Sequence, residues 1–308
     1  MNYKICLIGT KDTTLSAAEY MIQKIGTIDC IITVDEKKVS TQQISGFYSL
    51  DDFAGRNNIK LFKVENYSMQ DDKSRSFFND NTFEIAICMG WQRLIPEYVL
   101  NRFSVGIFGF HGSCGYLPFG RGRSPLNWSV INGDTRFILN LFKYDSGVDS
   151  PNVYQNRTFE ITVHDDIRTL QYKNMLCSFE MIGNLLDDYQ KNRIVIKTAS
   201  KDFDSLYPKR TPNDGKIDFR SKTRDLYNLV RGVTSPFPGA FCYNRTSGEK
   251  VMIWKIIPFD QVINFSDYAV GEVVAVFDGK PVVRTIDGSV LIERYDSKKQ
   301  IETSDILE

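Results

Sequence analysis

The chain predicts an α/β fold: an N-terminal Rossmann-like, mostly parallel sheet with helices on both faces, followed by a small C-terminal β-barrel-like (OB-like) domain. Three observations predict it. Through residues 1–203, short apolar, β-branched runs alternate with amphipathic stretches, the rhythm of strand–helix–strand units. A proline-punctuated stretch, Tyr207-Pro208-Lys209-Arg210-Thr211-Pro212-Asn213-Asp214-Gly215, then breaks the pattern. Beyond it lie five short strand-like runs with Asp-Gly pairs between them.

In order, strands are predicted at Lys4–Gly9, Cys30–Val34, Ile59–Val64, Glu84–Met89 and Val105–Phe110, with helices at Leu15–Lys24 and around Met69–Phe78. Leu126–Ile131 reads as a helix, and Arg136–Phe142 and Phe159–Val163 as strands. Asp165 and Asp166 supply capping charge to a long helix running to about Lys191. His164, beside these aspartates at a strand-to-helix junction, reads as structural. After the break come a helix at Thr223–Val233 and strands at Ala240–Tyr243, Val251–Ile257, Gly271–Phe277, Pro281–Ile286 and Val290–Tyr295. Asp278-Gly279 and Asp287-Gly288 are the predicted hairpin turns. The expected division is residues 1–203 as the larger domain, 204–238 as linker and helix, and 239–308 as a β module.

A length of 308 residues suits about two domains. Lys plus Arg and Asp plus Glu number 38 each, so no net field draws in nucleic acid, which argues against such a partner. The six cysteines have neither zinc-ribbon nor redox-dithiol spacing, so no metal and no disulfide is expected. The apolar run in the first nine residues is too short for a signal peptide or a membrane span. The expectation is a reduced, cytoplasmic protein with no membrane partner. Walker, dinucleotide-binding and G-x-S-x-G motifs are absent, which disfavours NTPase, dehydrogenase and serine-hydrolase chemistry.

Chemistry concentrates in three places. The strand Val105–Phe110 delivers His111, one of only two histidines, into a glycine-rich loop: His111-Gly112-Ser113, then Leu117-Pro118-Phe119-Gly120-Arg121-Gly122-Arg123-Ser124. An imidazole exchanges protons near neutral pH, and open α/β sheets carry their chemistry at strand C-terminal ends. The glycines let backbone approach a ligand, and Arg121 and Arg123 suit phosphate or carboxylate, although a solvated loop explains them equally well. Tyr144-Asp145-Ser146-Gly147-Val148-Asp149 follows the strand Arg136–Phe142. Its carboxylates could hold an imidazole's tautomer, or form a polar turn. Met89-Gly90-Trp91-Gln92-Arg93 follows another strand and suits either the wall of a flat aromatic ligand or a plain connection.

Taken together, these blocks resemble the 10-formyltetrahydrofolate-dependent formyltransferase family, nearly end to end. His-Gly-Ser, Leu-Pro, Arg-Gly-Arg-Ser-Pro-Leu-Asn-Trp and Asn-Gly-Asp-Thr within 111–135 resemble its catalytic block, and Asp145, Gly147, Val148 and Asp149 its aspartate block. Arg210-Thr211-Pro212 through Pro236-Phe237-Pro238-Gly239 resembles the family's interdomain segment. The resemblance implies 10-formyltetrahydrofolate as co-substrate, no metal, His111 and Asp149 as catalytic residues, and residues 1–203 as the catalytic domain. It further implies Met89, Gly90, Trp91, Gln92, Arg93, Leu117, Tyr144, Asp145, Gly147 and Val148 around the folate. Ser113, Arg121, Arg123 and Arg210 are the implied acceptor-side residues, with Lys11, in Gly9-Thr10-Lys11 at the end of the first strand, as a further candidate for which a solvated lysine is the plainer reading. The implied acceptor is a nucleotide-linked aminosugar, formylated on nitrogen as in lipopolysaccharide biosynthesis; methionyl-tRNA is the competing acceptor. A homodimer stays open.

One departure stands out. The family carries an asparagine two residues before the histidine, and this chain has Gly109 there. Loss of an oxyanion donor typically costs about 100- to 1000-fold in rate. The loop after Ser113 is also about two residues longer, through Cys114-Gly115-Tyr116. Either those added amides or water replace the missing donor, or the site is altered in acceptor or impaired, leaving a folate- or nucleotide-binding homologue.

Overall fold

The computed structural model describes residues 1–145, 152–198 and 204–308. In chain order the first part comprises β1 (Asn2–Ile8), α1 (Asp12–Ile25), β2 (Cys30–Val34), α2 (Asp51–Arg56), β3 (Lys60–Val64), α3 (Asp72–Asp80), β4 (Thr82–Cys88), α4 (Glu97–Leu100) and β5 (Phe103–Ser113). There follow β6 (Arg121–Gly122), α5 (Pro125–Ile131), β7 (Arg136–Lys143), β8 (Asn152–Glu160), α6 (Ile167–Gln190), β9 (Lys197–Thr198) and β10 (Leu206–Tyr207). The C-terminal part holds α7 (Thr223–Val233), β11 (Ala240–Tyr243), β12 (Lys250–Asp260), β13 (Val273–Phe277), β14 (Lys280–Arg284) and β15 (Ser289–Asp296).

The large sheet has the order β3-β2-β1-β4-β5-β7-β8-β9. It is parallel from β3 through β5, and antiparallel from β5 through β9. The chain leaves β1 toward β2 on one side and returns to β4 on the other, so the crevice above the β1 and β4 C-termini is a topological switch point. The buried strands read as near-continuous apolar runs, Cys30–Val34 being buried at every position. One face packs Phe108, Leu139 and Leu141 against α1 and α6, through Met21, Met181 and Leu185. The other packs Phe62, Phe78, Phe83, Cys88, Trp91 and Ile107.

Three sequence expectations shift. β5 runs on through His111, Gly112 and Ser113, because each pairs with β7 (His111 with Asn140, Ser113 with Ile138). The expected strand Phe159–Val163 is instead β8, ending at Glu160. Residues beyond it turn off the sheet because the Asp165 carboxylate accepts from the Thr162 amide and hydroxyl at 2.8 and 2.9 Å. The helix expected around Met69 starts at Asp72, since Met69 is in the left-handed region and the Asp71 carboxylate caps the Ser74 amide at 2.8 Å.

The C-terminal sheet is antiparallel, in the order β11-β12-β15-β14-β13. Its two edges are joined by the chain's last residues. Leu307 bridges Asn244 and Ile306 bridges Glu272, and Glu308 exchanges backbone bonds with Tyr243. The result is barrel-like. Asp278 and Gly279 both have positive φ, as a two-residue hairpin requires. Asp287, in the next turn, accepts from the Thr223 amide at 2.7 Å and so caps α7. No helix among the described residues is long and apolar enough to cross a membrane.

Helix α7 joins the two parts. Its buried Arg231 donates through Nη1 to the carbonyls of Thr162 and Asp165 (2.8 and 2.9 Å) and through Nε to Asn228 Oδ1 (3.0 Å). The Asn127 amide donates to the Gly232 carbonyl at 2.8 Å. Buried carbonyls left without a charged donor are costly. Arg231→Met is therefore expected to lower stability by about 3 kcal/mol, measured by urea unfolding; a change within experimental error would show that α7 is anchored otherwise.

Candidate functional site

The crevice wall is built by threonines after β1. The Thr14 hydroxyl donates to the Met89 carbonyl at 2.7 Å, and the Thr10 hydroxyl to the Gly90 carbonyl at 3.1 Å. Gly9 is forced: a Cβ there would collide with the Met89 carbonyl and the Thr14 side chain. Gly90 has φ +83°, which a side chain rarely tolerates. Past it, the Gln92 amide donates to the Tyr67 hydroxyl at 2.7 Å, Arg93 lies over the Tyr67 ring, and Tyr67 meets Trp91 edge-on at 4.5 Å. Trp91 Nε1 is buried without a hydrogen-bond partner among the described residues. An unpaired buried donor is costly and is conspicuous so close in sequence to the crevice wall.

His111 lies half-buried on β5. Side chains alternate along a strand, so Ile107, Gly109, His111 and Ser113 share one face with their β7 neighbours Phe142, Asn140 and Ile138. His111 Nε2 lies 2.8 Å from the Gly120 carbonyl. A carbonyl only accepts, so Nε2 carries the proton and Nδ1 of the neutral ring keeps its lone pair. Burial pulls the imidazole below the ordinary histidine value. The Gly120 contact opposes this, and the nearby Arg121 guanidinium adds to the lowering.

The loop holding Gly120 is fixed from outside. β6 pairs in parallel with β10, and the Ser205 hydroxyl accepts from the Gly120 amide at 2.8 Å. Arg121 pairs with Asp204, Nε lying 2.9 Å from Oδ1. Gly120 has φ +73°, and a Cβ would collide with Ser113 and press on the Tyr207 ring. The segment read as a linker thus contributes a strand to the site.

Gly109 has a partner. Its missing Cβ leaves the space filled by the Tyr144 ring, whose hydroxyl lies 2.5 Å from where that Cβ would be. Tyr144 is fixed by its amide, which donates to the Ile107 carbonyl at 2.8 Å, by an edge-on contact with Phe142 at 5.0 Å, and by a hydrogen bond between its hydroxyl and the Cys88 thiol.

Beside the histidine loop, Tyr207 and Trp128 stack at 6.0 Å and the Arg210 guanidinium lies 4.9 Å over the Trp128 ring. Trp128 Nε1 donates to the Pro208 carbonyl at 3.0 Å. Arg210 Nη2 donates to the Asp214 carbonyl at 2.7 Å and borders a cavity of about 220 Å³ with Ser124, Asn127, Thr211, Phe237 and Pro238.

The formyl transferase family model matches residues 7–178, more than half the chain, and the model of the formyl transferase C-terminal domain matches residues 209–308. The chain belongs to the formyl transferase family. It is 33% identical over 172 residues to the bifunctional polymyxin resistance protein ArnA of Wigglesworthia glossinidia brevipalpis, covering 56% of this chain but only 26% of that protein. It is 24% identical over 307 residues to the methionyl-tRNA formyltransferase of Fusobacterium nucleatum subsp. nucleatum, covering 99% and 96%. Its fold is similar to that of the N-formyltransferase of Helicobacter canadensis, solved with folinic acid and dTDP-3-aminofucose. The TM-score there is 0.68 at 17% identity, over 94% of this chain and 98% of that one.

Set against this formyl transferase fold, the sequence-predicted site residues fall into groups. Met89, Gly90, Trp91, Gln92 and Arg93 form the crevice wall, and buried Leu117 enters the histidine loop before a cis bond to Pro118. Tyr144 lies over Gly109, and Asp145 is exposed and accepts from Asn152 Nδ2 at 2.9 Å. Asp149, Gly147 and Val148 lie outside the described residues. Two of the residues expected on the acceptor side have local structural partners. Lys11 is the N-cap of α1, and its stem packs over Gly90, on the crevice wall; burial pulls its ammonium below the ordinary lysine value. Ser113 is buried, its hydroxyl bonded to the Gly115 and Phe119 carbonyls of its own loop (2.9 and 2.8 Å). Arg123 is exposed at the loop's end, and Arg121 and Arg210 lie as described above. Sequence reasoning missed Thr10, Thr14, Tyr67, Ser205 and Tyr207. Thr10 lies within, and Thr14 just beyond, the Gly9-Thr10-Lys11 strand end, the one signal that pointed there.

Because the two histidines are easily resolved by NMR, His111 titration is directly measurable. Its proton is expected to leave below the ordinary histidine pH range, so the ring is neutral at pH 7 and becomes charged only as pH falls through that lowered value. Titration at or above the ordinary value would contradict the buried, Gly120-bound ring.

Proposed function

We propose that the chain transfers the formyl group of 10-formyltetrahydrofolate to the amino group of a nucleotide-linked aminosugar. The observation that carries the chemistry is the His111 tautomer: with Nε2 donating to Gly120, the Nδ1 lone pair is free to take the proton of an attacking amine. In this reading Asp149 is the carboxylate whose charge favours the imidazolium that forms when His111 takes the proton. Met89–Arg93 and Leu117 hold the folate with Tyr144, Asp145, Gly147 and Val148, and the Trp91 indole supplies a donor to the pterin rim. Lys11 stands on this folate side.

The acceptor assignment rests on the Tyr207–Trp128–Arg210 stack and its cavity, a compact aromatic and cationic surface next to Arg123. Guanidinium groups suit phosphate, and aromatic faces suit a base. The balanced charge, 38 against 38, supports a small acceptor over tRNA. The sugar-nucleotide complex of the Helicobacter canadensis protein supports the same class. A second reading, methionyl-tRNA formylation, draws on the near-complete coverage of the Fusobacterium nucleatum enzyme. A cytoplasmic monomer or homodimer serves either acceptor.

Incubation with 10-formyltetrahydrofolate and a panel of nucleotide-linked aminosugars, alongside methionyl-tRNA, separates the readings by product mass. The expected outcome is a formamide on one aminosugar and none on tRNA. Formylated tRNA would establish the second reading, and folate binding with no product would reduce the chain to a binding protein. His111→Asn is expected to lower kcat about a thousandfold with folate affinity nearly unchanged.

A further inference from the structure

Formyl transfer requires a donor that the histidine cannot supply. When the amine lone pair forms the new C–N bond, the carbonyl electrons move onto the formyl oxygen, and His111 takes the amine proton on Nδ1. Collapse restores the carbonyl and breaks the bond to folate N10, which leaves with the electron pair and receives the proton from His111. The products are a formamide and tetrahydrofolate. Between these events the oxygen carries negative charge and needs a hydrogen-bond donor already in place. His111 Nε2 is held by Gly120.

Among the described residues of β5 and β7 on the His111 face, side-chain donors are few. Ile107, Ile138 and Phe142 have none, and Gly109 has no side chain. Ser113 bonds its own loop, and Asn140 Nδ2 donates to the His111 and Ile138 carbonyls at 3.2 and 3.3 Å. Tyr144 remains. Its ring occupies the space above Gly109, one position along the same face from His111, with its hydroxyl 2.5 Å from the absent Cβ. That is the reach of an asparagine amide from its own Cβ, so the phenol head stands where an asparagine at 109 would present its donor.

We propose that the Tyr144 hydroxyl is the donor to the oxygen of the transferred formyl group, and that Gly109 exists to admit its ring; this rests on the formyl-transfer reading above. The hydroxyl is suited to the task. Burial, and next the neighbouring Cys88, push it well above the ordinary tyrosine range, so it keeps its proton. The Cys88 thiol is itself pushed up to about 12 by burial and stays S–H. The Cys88 sulfur is only a weak acceptor, so the phenol proton can turn from it to a more strongly accepting substrate oxygen.

Tyr144→Phe removes the donor and keeps the ring. Its expected effect is a fall in kcat of about 100- to 1000-fold, with KM for the folate within about threefold and an unchanged melting temperature. Gly109→Asn with Tyr144→Ala clears the ring and restores an amide, and the pair is expected to exceed Tyr144→Ala alone in kcat. Wild-type kcat in Tyr144→Phe would overturn the proposal while leaving formyl transfer intact. A second arm needs no acceptor: calorimetric binding of 10-formyldihydrofolate against dihydrofolate. The wild-type preference for the formylated ligand should shrink about fivefold in Tyr144→Phe, and an unchanged preference also overturns the proposal. A wild-type protein that binds folate yet formylates nothing would instead overturn the function itself.

Discussion

The bond from His111 Nε2 to the Gly120 carbonyl, at 2.8 Å, fixes which ring nitrogen holds the proton, and the rest of the site is arranged around keeping that carbonyl still. Gly120 can present it only from a left-handed backbone pressed onto Ser113 and Tyr207, a conformation that any side chain would strain. Within the loop, the Ser113 hydroxyl on the Gly115 and Phe119 carbonyls is only part of what fixes that geometry. It is held as well by the Ser205 hydroxyl on the Gly120 amide, by the short parallel pairing of β6 with β10, and by Arg121 with Asp204. The connection between the two parts of the molecule therefore sets the protonation geometry of a residue on β5. Movement of one part against the other would be felt first at the histidine.

A second constraint is steric and lies on the same face of the sheet. Gly109 and Tyr144 occupy one volume between them: a side chain at 109 and the ring at 144 cannot coexist. This couples two strand positions that sequence spacing treats as unrelated, and it links β5, the end of β7 and, through the Cys88 thiol, β4. The glycine that reads as a lost donor is half of an exchange.

Much of the fold was legible because it is written in periodicity. Cys30–Val34 and Ala240–Tyr243 are strands over the residues predicted, as Thr223–Val233 is a helix, since each is an apolar pattern bounded by turn chemistry. Boundaries failed where a distant side chain decided them. Asp165 ends β8 early, and cross-strand pairing with β7 extends β5 past the histidine. In the site, His111, the Met89–Arg93 wall and Arg210 could be named because glycine, histidine and arginine in loops are conspicuous. Tyr67, Ser205 and Tyr207 could not: each acts through a contact between segments far apart in sequence, and none belongs to a local pattern. That the Lys11 stem lies across Gly90 was illegible for the same reason, since only the fold brings the two together.

Substrate choice in such an arrangement turns on whether recognition is local or distributed. A tRNA is held by many phosphate contacts spread over a large surface, each weak and salt-sensitive, which favours a field of uncompensated lysine and arginine. Here much of the cationic side-chain chemistry near the loop is locally engaged: Arg121 pairs with Asp204, and Arg210 lies over Trp128 while bonding the Asp214 carbonyl. A guanidinium held over an indole and bonded to a carbonyl is restrained, so a single phosphate or diphosphate meets it with little further loss of side-chain freedom. The same ordering does nothing for a long polyanion, which gains from the number of charges more than from the placement of one. For the acceptor proposed above, a nucleotide joined to a sugar, the stack would meet a charge carried at one point beside a flat ring.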